Sequence, residues 1–345
     1  MNMDEKLHFA DLTDRLLDWY ARAARDLPWR IGPAERAQGV TADPYRVWLA
    51  EIMLQQTTVP HATRYYLDFT ARWPRIEDLA AARDEDVMGA WAGLGYYARA
   101  RNLLKCARDV QARGGWPDTV EGLRELPGIG PYTAGAIAAL AFGRQTAAVD
   151  GNVDRVFARL LALRGDWKAE KARLKDVVEG LVPADRPAEF AEALMDLGAT
   201  VCTPKAPDCR LCPLSLLCAA YAEGAPERYP IKPKKTPKPL RTGHVYVRFG
   251  AGGTVLTERR PARGLLGGMM GLPTSEWTGE LGAPEFPCEA NWREVGEVRH
   301  VFTHFALTLK VWRTDAGKTR GNTPCRQAAE SMPSVFVKAL KLAQT

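Results

Sequence analysis

The sequence predicts a two-domain protein, an all-α domain followed by a smaller mixed α/β domain, and three observations carry that reading. Apolar residues recur at helical spacing through the first 225 residues, as in Leu12, Leu16, Trp19 and Tyr20 and again in Val153, Val156, Phe157, Leu160 and Leu161. Beyond residue 241 the period falls to two, in His244 to Phe249 and in Phe305, Leu307, Leu309 and Val311, with a glycine-rich turn at 250–253. Between them, residues 226–241 interleave Lys232, Lys234, Lys235 and Lys238 with Pro230, Pro233, Pro237 and Pro239, the composition of an extended linker. Domains are therefore expected at 1–225 and 242–345, the second closing with a helix from Ser334 to Leu342. A chain of 345 residues is long enough for two separate cores.

The net charge of +6 is unevenly spread: residues 1–220 hold 28 Lys and Arg against 30 Asp and Glu, whereas 221–345 hold 19 against 11. The basic linker suits either a strip along a phosphate backbone or a solvated tether. Met1 to Phe9 lacks the apolar region of an export signal, and the longest apolar run, Ala134 to Phe142, is too short for a bilayer. A cytoplasmic protein that binds no membrane is expected.

The chemistry-bearing elements follow in chain order. Asp43-Pro44 is a capping side chain with proline in the first turn, and it starts a helix reaching Gln56. Glu51 shares the apolar stripe of Val47 and Leu54, so its carboxyl loses hydration and can hold a proton near neutrality. Leu94-Gly95-Tyr96-Tyr97, ahead of Arg99 and Arg101, sets aromatic side chains on a glycine-flanked turn, either as core or as a wedge for a base stack. Leu126-Pro127-Gly128-Ile129-Gly130 is a tight interhelical turn whose amides can grip phosphate without regard to base sequence. Asp150, before Gly151-Asn152 and the helix from Val153, is either a plain cap or a fixed anion held ionised by the helix terminus.

Cys202, Cys209, Cys212 and Cys218 form the pattern C-x6-C-x2-C-x5-C, while Cys106, Cys288 and Cys325 stand singly. Clustering of this kind marks a metal centre rather than a disulfide framework. Zinc remains possible, but the unequal gaps suit the spread corners of an iron-sulfur cubane better than one tetrahedral ion.

Together, "AEIMLQQT", "GLGYYARARNL", "ELPGIGPYTAGAI", "AVDGNVDRV" and the cysteine loop resemble the helix-hairpin-helix DNA glycosylases, and within them the adenine glycosylases of the MutY type, from about Leu27 to the end. The resemblance implies a helix-hairpin-helix domain with a [4Fe-4S] cluster loop and a Nudix-like domain that inspects 8-oxoguanine. It implies that Glu51 protonates N7 of a flipped adenine, that Asp150 stabilises an oxocarbenium-like sugar, that Asn152 supports the carboxylates and that Tyr132 lines the pocket. By the same resemblance Trp29, Arg30 and Glu192 contact the base, and Gln56, Leu94 and Tyr96 fill or wedge the stack. Gly128 and Gly130 fall in the phosphate-gripping hairpin, and Phe302-Thr303-His304 matches the loop that touches the oxidised base, with threonine for the usual serine. The implied partner is double-stranded DNA with adenine opposite 8-oxoguanine or guanine, bound by a monomer.

Tyr132 stands where backbone-cutting relatives carry a lysine nucleophile, which argues against an endonuclease III-like activity on oxidised pyrimidines. A non-catalytic iron-sulfur redox sensor on DNA is the other alternative. The fragment Arg293 to Glu297 echoes the Nudix hydrolase motif without its glycine, spaced glutamate and acidic helix, so pyrophosphatase activity is not expected. The stretch Ile31 to Ala42 is longer than the family's usual link between L-P-W-R and D-P-Y.

Overall fold

The computed structural model describes residues 3–231, 237–261, 264–315 and 322–345, so Lys232, Pro233, Lys234 and Lys235 of the linker lie outside the described residues. The chain separates into two compact units, Met1–Asp84 with Arg101–Lys234 and Glu85–Ala100 with Lys235–Thr345. The first part of the chain carries α1 (Met3–Ala23), α2 (Pro33–Ala37), α3 (Pro44–Leu54), α4 (Val59–Arg72), α5 (Ile76–Ala81), α6 (Asp84–Ala90), α7 (Ala98–Arg113) and α8 (Val120–Arg124). It continues with α9 (Pro131–Phe142), α10 (Gly151–Leu160), α11 (Trp167–Glu179), α12 (Pro187–Thr200) and α13 (Ala219–Ala222). Among the described residues, no helix is long and apolar enough to cross a membrane.

Local chemistry sets the helix boundaries that matter for function. Asp43 caps α3 by accepting from the Tyr45 amide at 2.9 Å, and Pro44 opens its first turn. The helix ends at Leu54, two residues short of the sequence reading, because Gln55 turns extended and Gln56 enters the left-handed region at φ 61°. Thr58 and Pro60 then start α4. In the first unit α9 packs against α3, α8 and α12, and α10 and α1 also pack against α12. Leu16, Tyr20, Phe157, Phe190 and Leu197 are buried between these helices. Gly198 on α12 permits one close approach, since a Cβ there would lie 2.5 Å from the Asn152 Cβ on α10.

The second unit is built on a five-stranded sheet ordered β5-β6-β1-β2-β7, with β1 (Leu240–Gly250), β2 (Thr254–Val255), β5 (Arg293–Val301), β6 (Ala306–Asp315) and β7 (Thr323–Pro324). A separate pair joins β3 (Glu258–Arg259) to β4 (Met270–Gly271). β1 and β6 run parallel from Leu240↔Ala306 to Phe249↔Asp315, and β5 joins β6 antiparallel with a bulge at Glu294/Gly296. Alternation sends Val245, Val247, Leu307, Leu309 and Val311 into one core with α14 (Cys325–Ser331) and α15 (Ser334–Gln344). Arg293 to Glu297 lies in strand β5.

Candidate active site

Helices α3, α9, α10 and α12 line one cavity of about 340 Å³, and Glu51, Tyr132, Asp150, Asn152, Trp29, Arg30 and Glu192 all face it. Its size falls in the range of small-molecule sites. Glu51 projects from the middle of α3, 8% exposed among Trp48, Ile52 and Met53, which are buried too. Burial pushes its carboxyl up from 4.5 to about 7, the Tyr132 hydroxyl pulls it back by donating a hydrogen bond, and the charge of Asp150 raises it again. The Tyr132 phenol is held well above its usual value by its own burial and by the two acids, so it remains a hydrogen-bond donor.

Asp150 is the N-cap of α10. Its Oδ1 accepts from the amides of Asn152 and Val153, both at 2.8 Å, and its Oδ2 accepts from Asn152 Nδ2 at 2.7 Å. Both oxygens are therefore fixed at the positive end of a helix. One cavity thus presents a carboxyl that titrates near neutrality and a second, rigidly hydrogen-bonded one.

On the wall formed by α12, two acids one turn apart are met by three arginines from the start of the chain. Asp196, fully buried, accepts from the Arg25 amide at 2.9 Å, from Arg25 Nε at 2.6 Å and from Arg30 Nη1, at 2.8 Å to each oxygen. Glu192 accepts from the Tyr20 hydroxyl at 2.8 Å and from Arg36 Nη2 at 3.3 Å. Burial alone would lower the Arg30 pKa, but Asp196 and Glu192 outweigh it and raise it. Trp29 packs edge-on against Tyr66, with ring centroids 5.2 Å apart. Of this group the sequence reading names only Trp29, Arg30 and Glu192. The signal for Asp196 is a second acid four residues after Glu192, on a helix otherwise filled with Phe190, Ala193, Leu194 and Leu197.

Cys202, Cys209, Cys212 and Cys218 line a single small cavity together with Arg159. Arg159 is 2% exposed, and its Nη1 donates to Cys202 Sγ at 3.2 Å and to the Thr203 carbonyl at 2.8 Å. Burial pushes the Cys212 thiol up to about 12 and also raises Cys209 and Cys218, so thiolates there need a compensating cation. Among the described residues no three His, Cys, Asp or Glu side chains converge to hold a single ion. Four thiols lining one cavity are a donor set that would suit a soft metal group.

Arg155, absent from the sequence reading, joins this loop to the acids. Its Nε donates to the Cys202 carbonyl at 2.8 Å, and its Nη2 donates to the Gly198 carbonyl at 2.7 Å and to Asn152 Oδ1 at 2.9 Å. Because Asn152 in turn donates to Asp150, Arg155 fixes the amide that fixes the carboxylate. Arg155→Ala removes this set of charge-assisted bonds at a net cost on the order of 2–3 kcal/mol, and we expect the thermal midpoint to fall by roughly 5–10 °C. A midpoint within about 1 °C of wild type by scanning calorimetry contradicts this account.

The other sequence-named residues lie outside this cavity. Gln56 is exposed at the end of α3. Gly128 has φ 80° and would place a Cβ 2.8 Å from the Asn102 Cβ, so the hairpin turn requires glycine, while Gly130 caps α9 ahead of Pro131. Within the second unit Tyr96 is 55% exposed at φ 48°, whereas Leu94 is 6% exposed. The protruding ring of this turn is therefore Tyr96, while Leu94 is buried. The Tyr96 hydroxyl lies 3.5 Å from Thr303 Oγ1. Thr303 and His304 sit exposed at the tip of a turn closed by the Phe302 amide on the Phe305 carbonyl at 2.8 Å. Phe302 stacks on Trp277, which anchors the turn.

One family model, described as HhH-GPD superfamily base excision DNA repair protein, matches residues 49–180, and a NUDIX domain model matches residues 244–342. The chain is similar to the adenine DNA glycosylase of Homo sapiens, 36% identical over 86% of this chain and 65% of that protein. It is likewise similar to that of Mus musculus, 35% identical over 88% and 72%, and of Schizosaccharomyces pombe, 30% identical over 87% and 80%. Among solved structures, a thermostable thymine-DNA glycosylase superposes with a TM-score of 0.56 at 29% identity, covering 64% of this chain and 99% of that one. An endonuclease III from a DNA complex shares the fold with a TM-score of 0.52 at 22% identity, covering 65% and 99%. On its motifs, its two domains and its similarity along most of its length, this chain belongs to the adenine DNA glycosylase family.

Proposed function

We propose that this chain is a monofunctional DNA glycosylase that flips adenine from a duplex, opposite 8-oxoguanine or guanine, and hydrolyses its N-glycosidic bond. The observation that carries this reading is the pairing of Glu51, raised to about 7, with the hydrogen-bonded Asp150 in one nucleotide-sized cavity. Adenine leaves poorly as an anion, and a proton delivered to N7 by Glu51 makes it a neutral leaving group. Asp150 then offsets the positive charge growing on the sugar. Tyr132 and Asn152 hold the two acids, Trp29, Arg30 and Glu192 form the base wall, and Glu51, once deprotonated, helps activate the attacking water. Extrusion of the base costs a few kcal/mol, less at a mismatch, which favours the mispaired adenine.

In the same reading a [4Fe-4S] cluster held by Cys202, Cys209, Cys212 and Cys218 supplies the crosslink that folds their loop. Gly128 and Gly130 take a backbone phosphate. Gln56, Leu94 and Tyr96 occupy the stack, the first and last directly and Leu94 as support, while Thr303 and His304 read the opposite base. One chain holds every residue of this set, which supports action as a monomer. Seven cysteines, four of them clustered as metal ligands in this reading and three standing singly, suit the reducing cytoplasm.

The test is incubation with duplexes carrying adenine opposite 8-oxoguanine, adenine opposite guanine, or thymine glycol, followed by alkali. Strand breaks are expected only at adenine and only after alkali, and borohydride should trap no covalent adduct, because Tyr132 occupies the lysine position of strand-cutting relatives. Breakage at thymine glycol with borohydride capture would assign the chain to the endonuclease III type instead.

A further inference from the structure

The segment between Arg30 and α3 contributes a side chain to the active-site wall. Gly32 N–H donates to Glu35 Oε2 at 3.0 Å at the start of the short helix α2, and α2 packs against α1. From α2, Arg36 reaches across 156 positions of chain to Glu192 Oε1 at 3.3 Å. The two side chains are 15% and 2% exposed. Glu192 Oε2 is already taken by Tyr20, and Arg30 is committed to both oxygens of Asp196, with its Nε 4.0 Å from Glu192 Oε1. Arg36 is therefore the closest guanidinium to Oε1 among the described residues. Its own Nε is shut off from solvent with no acceptor among those residues. Burying an arginine with an N–H unpaired is a cost that packing alone does not repay.

We propose that Arg36 is a positioning residue for base selection: it holds Glu192 in one rotamer and as a bare acceptor, so that the cavity wall favours a base bearing an exocyclic amino group. This rests on the reading that the cavity receives adenine. Without Arg36, Oε1 has no hydrogen-bond partner in a buried wall, and a carboxyl there either rotates away or takes up a proton. Burial already pushes Glu192 up, against Arg30 and Arg36, which pull it down. A protonated Glu192 presents a donor as well as an acceptor and no longer distinguishes an amino group.

The experiment uses the full chain and duplexes with adenine or with unsubstituted purine, the same ring without its amino group, opposite 8-oxoguanine. Single-turnover release of the two bases is compared for wild type, Arg36→Ala, Arg36→Lys, Glu192→Gln and the double variant Arg36→Ala with Glu192→Gln. Arg36→Ala is expected to lower the adenine-to-purine ratio by about tenfold to a hundredfold. Arg36→Lys should restore part of it, and Glu192→Gln alone should match the double variant, as for two residues acting as a unit. An unchanged ratio, or an equal slowing of both bases that lysine does not relieve, overturns the assignment of Arg36 while leaving adenine release by the wild type intact. Wild type that releases neither base removes the activity reading itself, and this proposal with it.

Discussion

Glu51→Gln is expected to slow adenine release by about 10²–10⁴-fold while leaving affinity for the mispaired duplex close to wild type. The amide keeps the shape of the side chain and its contact with Tyr132 but has no proton to give at N7. The same variant should be more stable than wild type above neutral pH. An unfolded chain loses the Glu51 proton near 4.5, whereas the folded chain keeps it to about 7. Between those values the folded state binds the extra proton, so wild-type stability falls as pH rises through the window and is lowest above it. At about 1.4 kcal/mol per pH unit, the penalty removed by glutamine reaches about 3 kcal/mol above pH 7 and vanishes below 4.5. Denaturant titrations at pH 4 and pH 8 check this. Equal stability differences at both values would mean that burial does not govern the acid.

The pH dependence of the reaction has the same origin. Only the protonated acid can serve N7, so the rate of adenine release should fall tenfold per pH unit above about 7.

Short-range rules make much of this site legible in the sequence. Asp43-Pro44 announces α3, Glu51 falls on the stripe of Val47 and Leu54, and Asp150 ahead of Gly151-Asn152 announces the cap of α10, because each depends on neighbours within one or two helical turns. The end of α3 was less legible, since two helix-tolerant glutamines carry no stop signal and φ 61° at Gln56 reflects the start of α4. The arginine wall was not legible at all. Arg25, Arg30 and Arg36 meet Glu192 and Asp196 across more than 150 positions, and no local pattern tells a charge bound for a buried partner from one bound for water. Arg155 is hidden for the same reason, its partners Gly198 and Cys202 lying on a different helix and its end. Leu94 and Tyr96 differ only in which side of a turn faces the packed interior, and a two-residue spacing does not decide that.

Asp150→Asn is expected to lower adenine release by about 10²–10³-fold, the scale set by removing a preorganised electrostatic group. Asparagine is itself a favoured N-cap, so α10 should remain capped and the loss of stability stay near 1 kcal/mol or below. This separates the two roles that one aspartate could play. If Asp150 only capped α10, Asn and Ser would serve nearly as well, and activity would track the thermal midpoint. If its charge acts on the sugar, both variants lose activity out of proportion to stability. A further readout links the two acids, because the charge of Asp150 is one of the causes that raise Glu51. With asparagine in place, the alkaline limb of the residual activity should move to lower pH. A limb that stays near 7 would mean that burial alone sets the proton on Glu51 and that the two carboxyls do not act as a coupled pair.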